Sequence, residues 1–440
     1  KPSTLKRSYM SETLIANRHP LQVSEMAENL IGSEIIKLAA EIQDKIRNGE
    51  RIFNYTIGDF DPKIFPIPEE LNEEIINAYK EHQTNYPAAN GMPELRKVVS
   101  EFLKEREGLS YSADEILISG GARPLIYATY VTLLDKGDTV VFPVPSWNNN
   151  HYCHLSETQS RLIETSPENN FMPTAAEIRP HLKNATLLSL CSPLNPTGTV
   201  FKKEQLTEIC DLVLEENRRR GPGEKPLYLM YDQIYWVLTF GKTEHYNPVS
   251  LRPEMRDYTI FIDGISKSLA ATGVRVGWAF GPQRIMDKMR AILSHVGAWA
   301  PKAEQVATGK YLQKKTELDS FLDKFKNQID TRLHAFYDGF MELKKAGYKV
   351  HAIAPQAAIY LTIQLDLKGM KTSEGKVLSS QKDVTQHILD EAKLAVVPFS
   401  AFGSSDDSTW YRLSVGTCKS SEIPEVFQSL KKVLGNLSMN

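Results

Sequence analysis

The sequence has few cysteines, and their spacing excludes two classes of small-domain scaffold. Only four occur in 440 residues, and no two of them form a Cys-x-x-Cys pair. This spacing argues against a zinc ribbon and against a disulfide framework, and it fits a reducing cytoplasmic location. We expect no metal site. The four cysteines are Cys153, Cys191, Cys210 and Cys418.

Neither sign of charge dominates, and long apolar runs are missing. The 52 Lys+Arg residues oppose 54 Asp+Glu residues, which gives a formal net charge of -2. A chain this close to neutrality has no global field that favours nucleic acid or an anionic membrane. No apolar stretch is long enough to span a bilayer, and no apolar signal region follows Lys1. We therefore expect neither a nucleic acid nor a membrane as a partner.

What the sequence does contain is an alternation of short apolar runs with helical patterns between about residues 69 and 281. Such alternation predicts a parallel α/β sheet with helices on both faces. The length predicts more than one domain. We divide the chain into an N-terminal arm and helix over 1–65 that contributes to the small domain, a large domain over 66–320 and a small α+β domain over 321–440. The apolar runs of the large domain span 139–142, 185–190, 227–231 and 259–262.

A lysine stands directly after the last of these runs, in Gly264-Ile265-Ser266-Lys267-Ser268. The amine of a desolvated lysine can lose its proton and form a Schiff base with an aldehyde cofactor. A Ser-Lys pair after a strand is by itself more typical of an ordinary surface loop. The neighbouring motifs must therefore decide between the two interpretations.

Three further motifs follow or flank the apolar runs. Asp232 and Tyr235 stand where ligands gather at the edge of an open α/β sheet, and a carboxylate there can keep a pyridine nitrogen protonated. Either residue could instead be a capping or hydrogen-bonding group of the core. Asn195, in an Asn-Pro-Thr-Gly turn, could hydrogen-bond a ring hydroxyl or could serve only the turn. Arg275 could hold a phosphate, or it could be structural.

A glycine pair precedes a helical pattern in Ser119-Gly120-Gly121-Ala122-Arg123-Pro124. Free N–H groups at a helix N-terminus favour phosphate by hydrogen bonding and by the helix dipole. Glycine-rich turns between a strand and a helix also serve packing alone. This motif gains weight only beside the others.

In their order and spacing these motifs resemble the class I/II, fold-type I aminotransferases that depend on pyridoxal phosphate, including the aspartate aminotransferase-like enzymes. The resemblance covers about residues 30–435 and implies a large cofactor-binding domain with a mostly parallel seven-stranded sheet flanked by helices, plus a smaller α+β domain. The motifs are Asn195-Pro-Thr-Gly, Asp232-x-x-Tyr235, Ser266-Lys267, Arg275, Tyr86 with Gly91 and Glu94-Leu95-Arg96, Pro145-Ser146-Trp147, and Tyr411-Arg412-Leu413-Ser414.

The resemblance implies pyridoxal 5'-phosphate as the cofactor and Lys267 as the residue that forms the internal aldimine. Asp232 would pair with the pyridinium nitrogen, Asn195 and Tyr235 would bind the phenolic oxygen, and Trp147 would stack on the ring. The phosphate would be bound by Arg275, Ser266, the turn residues Gly121, Ala122 and Arg123, and Tyr86 from a second subunit.

The same resemblance implies transamination, in which Lys267 moves a proton and the amino group of an L-amino acid passes to a 2-oxo acid, 2-oxoglutarate by family analogy. Arg412 would bind the substrate carboxylate, and Gly58, Trp147 and Asn195 would line the substrate position. A homodimer follows from the Tyr86 contribution.

Several points stay open at this stage. A carbon–sulfur lyase, a decarboxylase or a synthase would use the same motifs, and a regulator that senses the cofactor is a further alternative. A dicarboxylate substrate would need a second cation, for which Arg123 and Lys302 are candidates. His151 and His154 could line the pocket or be solvated. The chain also departs from the family pattern at Gly264, Gln233 and the segment Gly58-Asp59-Phe60-Asp61-Pro62.

Overall fold

The computed structural model describes residues 21–30, 32 and 34–439. The first 20 residues of the predicted N-terminal arm, together with Ile31, Ser33 and Asn440, lie outside this description. Within the described residues, no helix combines the length and the apolar character that crossing a membrane requires.

A seven-stranded sheet forms the larger core, with the strand order β2-β8-β7-β6-β5-β3-β4. Neighbouring strands are parallel except where β8 pairs with β2 and with β7. The predicted mostly parallel sheet is thereby confirmed. Its strands are β2 (Ile116–Ser119), β3 (Thr139–Val144), β4 (Gln159–Glu164), β5 (Ala185–Cys191), β6 (Tyr228–Asp232), β7 (Thr259–Gly264) and β8 (Gly277–Phe280).

The apolar runs became the central strands because those strands are covered on both faces. All six residues of β3 and all six of β7 are buried. Strands β2, β4 and β8 were not predicted from the sequence. Strand β4 lies at the sheet edge, and of its six residues only Ile163 is buried, so the segment carries polar residues instead of an apolar run. Strands β2 and β8 have four residues each, which is short for periodicity to register.

Helices cover the sheet and extend into the second core. Most of the longer ones carry an apolar stripe toward the interior, as an amphipathic helix requires. The helices are α1 (Glu25–Glu28), α2 (Glu34–Arg47), α3 (Glu69–Lys80), α4 (Pro93–Glu107), α5 (Ala122–Leu133), α6 (Asn149–Leu155), α7 (Ala175–Ile178), α8 (Lys203–Arg219), α9 (Pro248–Leu251), α10 (Gln283–Val296), α11 (Lys302–Leu312), α12 (Lys315–Lys345), α13 (Gln381–Ala392) and α14 (Ile423–Gly435).

A second core forms around a four-stranded antiparallel sheet with the order β12-β13-β10-β9. Buried residues of α12, such as Ile329 and Phe336, belong to this core. Helix α12 runs through the division at 320/321, which stays a prediction. The strands are β9 (Val350–Ala352), β10 (Tyr360–Leu365), β12 (Val397–Pro398) and β13 (Trp410–Ser414).

The N-terminal segment reaches the second core through a short parallel pair. Strand β1 (Phe53–Asn54) pairs with β11 (Leu394–Ala395). The backbone N–H of Ser414 also donates to the carbonyl of Tyr55 at 2.9 Å. These bonds hold the residues after β1 beside β13.

The turn after β5 packs directly against β10. Ala357 donates its backbone N–H to the Gly198 carbonyl at 3.0 Å, and the Thr362 hydroxyl donates to the Thr197 carbonyl at 2.8 Å. Gly198 has a φ of +68°, and a Cβ atom there would lie 2.3 Å from the Tyr360 carbonyl oxygen. The turn therefore joins the two sheets with no room for a side chain.

We predict that Gly198→Ala lowers the free energy of unfolding by about 2–5 kcal/mol, because it adds a backbone collision to the cost of a left-handed conformation. Gly241→Ala is the matched control, since Gly241 has a φ of +59° and open space around it. That control should cost only about 1–2 kcal/mol. Denaturant titration of both variants measures the difference, and equal losses would show that the contact at Gly198 yields easily.

Candidate active site

The carboxyl ends of three adjacent parallel strands meet at one cavity of about 700 Å³. Asn195 follows β5, Asp232 ends β6, and Lys267 follows β7. All three side chains line the cavity, and Arg412 of β13 closes it from the second sheet. Parallel packing explains why Asn195, Asp232 and Lys267, which are separated by 37 and 35 positions in the sequence, share one site.

The Lys267 amine lies in a desolvated position. Its Nζ atom donates to the carbonyl oxygen of Gly58 at 2.5 Å. The pKa of Lys267 is lowered to about 8, mainly by burial and to a lesser extent by the cations Arg412, Arg123 and Arg275, while the nearby Asp59 carboxylate acts in the opposite direction. A neutral, nucleophilic amine is thus available close to physiological pH.

The Asp232 carboxylate faces the same cavity with few partners. One oxygen, Oδ1, accepts from the backbone N–H of Ile234 at 3.1 Å. Burial raises the pKa of Asp232 to about 6, because that bond and the Lys267 charge offset only part of the desolvation. A cationic N–H group placed beside Asp232 would restore the charged form.

Arg412 is only 3% exposed and contacts two other chain segments. Its Nη1 atom donates to Asn195 Oδ1 at 2.9 Å, and its Nη2 atom donates to the Thr56 carbonyl at 2.7 Å. Its Nε atom is buried without a partner. A guanidinium fixed in this way can bind a carboxylate that enters the cavity.

An anion site lies where helix α5 begins. Arg275 donates from Nη1 to the Thr272 carbonyl at 2.7 Å and from Nη2 to the Gly120 carbonyl at 2.9 Å. Ser266, which is close to Arg275 in the sequence, has a buried hydroxyl without a hydrogen-bond partner. The helix N-terminus at Ala122 adds its dipole. Together these groups fit a phosphate.

The aromatic candidate Trp147 lines the cavity and carries a cation on its ring. The Arg123 guanidinium carbon lies 4.7 Å from the Trp147 ring centroid, and both residues belong to the cavity wall. Lys302, the other candidate for a second cation, donates to Asn85 Oδ1 at 2.7 Å in an exposed position. Of these two cations, only Arg123 is among the described residues that line the cavity.

Tyr86 and the two histidines lie away from the cavity wall of the described chain. Tyr86 is 81% exposed, and its ring centroid lies 5.1 Å from that of Trp299. His154 Nε2 is 2.7 Å from the carbonyl oxygen of Met26. The assignment of Tyr86 to a neighbouring subunit's site stays a prediction.

The cavity wall also contains Asp59, Thr272 and Tyr360, to which the sequence motifs assigned no role. Asp59 Oδ1 accepts from the Thr272 hydroxyl at 2.6 Å, which ties the N-terminal segment to the loop of Arg275. The Tyr360 hydroxyl lies 2.5 Å from that of Tyr235. No motif marks Tyr360, because it stands inside an ordinary apolar strand whose neighbours give no sign of the cavity.

Comparison with known proteins agrees with this geometry. Residues 52–430 match the family described as aminotransferase class I and II. A probable aspartate/prephenate aminotransferase of Rickettsia felis is 28% identical over 85% of this chain and 88% of its own. The aspartate aminotransferase of Bacillus sp. (strain YM-2) is 27% identical over 89% and 92%. The crystal structure of the aspartate aminotransferase from Rhizobium meliloti superimposes with a TM-score of 0.86, at 25% identity over 95% and 100%.

The fold and cavity define a transaminase of fold type I that depends on pyridoxal phosphate. The chain belongs to the aminotransferase class I and II family, whose match spans most of its length.

The residues present fit the cofactor of this family. A buried serine hydroxyl without a partner and an arginine beside a helix N-terminus suit its phosphate. A buried carboxylate whose pKa is raised to about 6 suits its pyridinium nitrogen. An amine whose pKa is lowered to about 8 suits its aldehyde.

The lowered pKa of Lys267 gives a prediction for the cofactor-free protein. Only the neutral amine attacks an acylating reagent, so acylation of Lys267 should rise with pH and reach half its maximal rate near pH 8. Lys136 is the control, because its ion pair with Glu157 raises its pKa above 10.5. Peptide mass spectrometry after brief acylation measures both sites, and identical pH profiles would contradict the lowered pKa.

Proposed function

We propose that this transaminase moves the amino group of an L-amino acid to a 2-oxo acid, with 2-oxoglutarate as an acceptor and Lys267 as the lysine that binds the cofactor. The observation that carries the proposal is the meeting of the Lys267 amine, the Asp232 carboxylate and the Arg412 guanidinium in one cavity. The pKa of Lys267 is lowered to about 8, which suits an amine that must lose its proton, and Arg412 carries the positive charge that a carboxylate ligand needs.

Pyridoxal phosphate, when bound, supplies a protonated ring that accepts the electrons of the bond broken at the substrate's α-carbon. Asp232 would keep the ring nitrogen protonated, and Asn195 and Tyr235 would bind the phenolic oxygen. Trp147 would stack on the ring. The phosphate would be bound by Arg275, Ser266 and the turn Gly121, Ala122 and Arg123, with Tyr86 of a partner subunit completing the site in a homodimer.

The chain's own residues position the substrate and move its proton. Arg412 binds the substrate carboxylate with two parallel donors, which fixes the α-carbon. Gly58 has no side chain to crowd Tyr360 and Arg412, since a Cβ atom there would lie 2.8 Å from the Tyr360 hydroxyl oxygen and 3.4 Å from Arg412 Nη1. The Lys267 amine would remove the proton from the substrate's α-carbon as a general base and, as the resulting ammonium, would deliver a proton to the aldehyde-derived carbon of the cofactor as a general acid.

The proposed donor is an acidic amino acid such as aspartate. The relatives named above are aspartate or aspartate/prephenate aminotransferases. Arg123 supports the choice, because its guanidinium carbon lies at the cavity wall, 4.7 Å from the Trp147 ring centroid, where the side chain would bind a second carboxylate while the Arg123 backbone serves the phosphate.

We predict that the purified protein with pyridoxal phosphate shows a visible absorption band and that aspartate converts the bound cofactor to its amine form in the absence of an acceptor. Lys267→Ala should lose the band and slow turnover by at least about 10²- to 10⁴-fold, since general base catalysis alone contributes that much. Spectrophotometry and a half-reaction assay measure both effects.

The same assay separates the alternatives. A carbon–sulfur lyase, decarboxylase or synthase would release product without leaving the cofactor in its amine form. A sensory protein would bind the cofactor and turn over no donor. Either result would replace transamination as the function.

A second prediction concerns the carboxylate subsite. Arg412→Lys should raise KM for the amino donor by about 10- to 100-fold, because lysine cannot bind a carboxylate with two parallel donors. Arg332→Lys is the control, since Arg332 lies on α12 and donates to the Cys418 carbonyl at 2.8 Å, outside the cavity wall. Steady-state kinetics measures both, and an unchanged KM in Arg412→Lys would place the carboxylate elsewhere.

A further inference from the structure

Inside the cavity, a tyrosine hydroxyl from the large sheet contacts a tyrosine hydroxyl from the small sheet. Tyr235 follows β6 of the seven-stranded sheet, and Tyr360 begins β10 of the four-stranded sheet, so the two come from different sheets. Their hydroxyl oxygens lie 2.5 Å apart, and both side chains are at most 1% exposed. The sequence places them 125 residues apart.

We propose that Tyr360 is a positioning residue of this site, whose hydroxyl donates to the Tyr235 oxygen and turns the Tyr235 proton toward the cavity, while its ring holds the Arg412 guanidinium. The inference rests on the proposed function, because it assigns Tyr235 a partner in the bound cofactor. It gives Tyr360 a role that no sequence motif indicates.

The direction of donation follows from the acceptor in the cavity, because Tyr235 must keep its one proton for that acceptor and Tyr360 must then supply the proton of the shared bond. Each phenol has one proton, and a single hydrogen bond joins the two oxygens. If Tyr360 donates in that bond, the Tyr235 proton stays free for an acceptor in the cavity. A hydroxyl that accepts one hydrogen bond also becomes a stronger donor in the next one.

The surroundings of Tyr360 favour this arrangement. The Arg412 guanidinium carbon lies 4.7 Å from the centroid of the Tyr360 ring, within the range of a cation–π contact. Burial raises the pKa of Tyr360 and of Tyr235, so both phenols keep their protons throughout the neutral range. The ionisable groups that act on Tyr360 are Arg412, Tyr235, Cys191 and Asp59.

Tyr360 therefore has two separable parts. Its ring contacts Arg412, which would bind the substrate carboxylate, and its hydroxyl contacts Tyr235, which would bind the phenolic oxygen of the cofactor. Removing only the hydroxyl should affect the cofactor, whereas removing the ring should also affect the substrate.

The test measures the pH midpoint at which the visible absorption of the bound cofactor changes. Donation from Tyr235 stabilises the anionic phenolic oxygen of pyridoxal phosphate, so weaker donation should raise the midpoint. We expect Tyr360→Phe to raise it by about one pH unit or less and to lower kcat by about 3- to 10-fold, with KM within about twofold of the unsubstituted protein. Tyr360→Leu should also raise KM by about 3- to 10-fold.

Two controls separate this effect from a loss of structure. Tyr411→Phe removes a buried phenol on β13 whose hydroxyl bonds to Gln381 and Thr385, away from the cavity, and it should leave the midpoint unchanged. In a Tyr235→Phe background, Tyr360→Phe should produce no further shift, because its effect passes through the Tyr235 hydroxyl.

The outcomes distinguish a failure of the Tyr360 role from a failure of the proposed function. If the unsubstituted protein shows no cofactor band at all, the proposed function fails. If that band is normal and Tyr360→Phe titrates with the same midpoint, the positioning role is wrong. An equal shift from Tyr411→Phe, or a full shift in the Tyr235→Phe background, would also overturn it.

Discussion

The rest of the site depends on the hydrogen bonds that the buried Arg412 guanidinium donates. A charge that is 3% exposed must be paired or hydrogen-bonded, since leaving it unpaired costs several kcal/mol. The bonds to Asn195 and to the Thr56 carbonyl satisfy two of its donors and draw the turn after β5, the N-terminal segment and β13 around one cavity. Packing, through the crowded turn at Gly198, keeps these segments in register.

The charge balance of the cavity explains the class of ligand. Four cations, Lys267, Arg123, Arg275 and Arg412, face two carboxylates, Asp59 and Asp232. Burial strengthens each interaction and lowers the pKa of Lys267 and of Arg275. A phosphate and a carboxylate together supply the missing negative charge. The same excess of positive charge that favours the binding of these anions also lowers the pKa of the Lys267 amine.

Much of the fold could be predicted because buried parallel strands leave an unmistakable trace in a sequence. The runs at 139–142, 185–190, 227–231 and 259–262 all became central strands. The edge strand β4 is mostly exposed and has no apolar run, and the buried strands β2 and β8 are too short for their apolar residues to distinguish a strand from a helix or a loop. Their places were decided by pairing with neighbours far away in the chain.

The sequence by itself determined the family and the short-range chemistry: a lysine after a strand, a carboxylate and a phenol three residues apart, and an arginine eight residues after the lysine. The residues of each motif stay close together in the folded chain because each motif lies at the end of one strand. Only the tertiary structure decided that Arg123 and not Lys302 lines the cavity of the described chain, and that Tyr360 meets Tyr235. Such contacts join residues that are far apart in the sequence, so they follow from how the two sheets pack and from no local pattern.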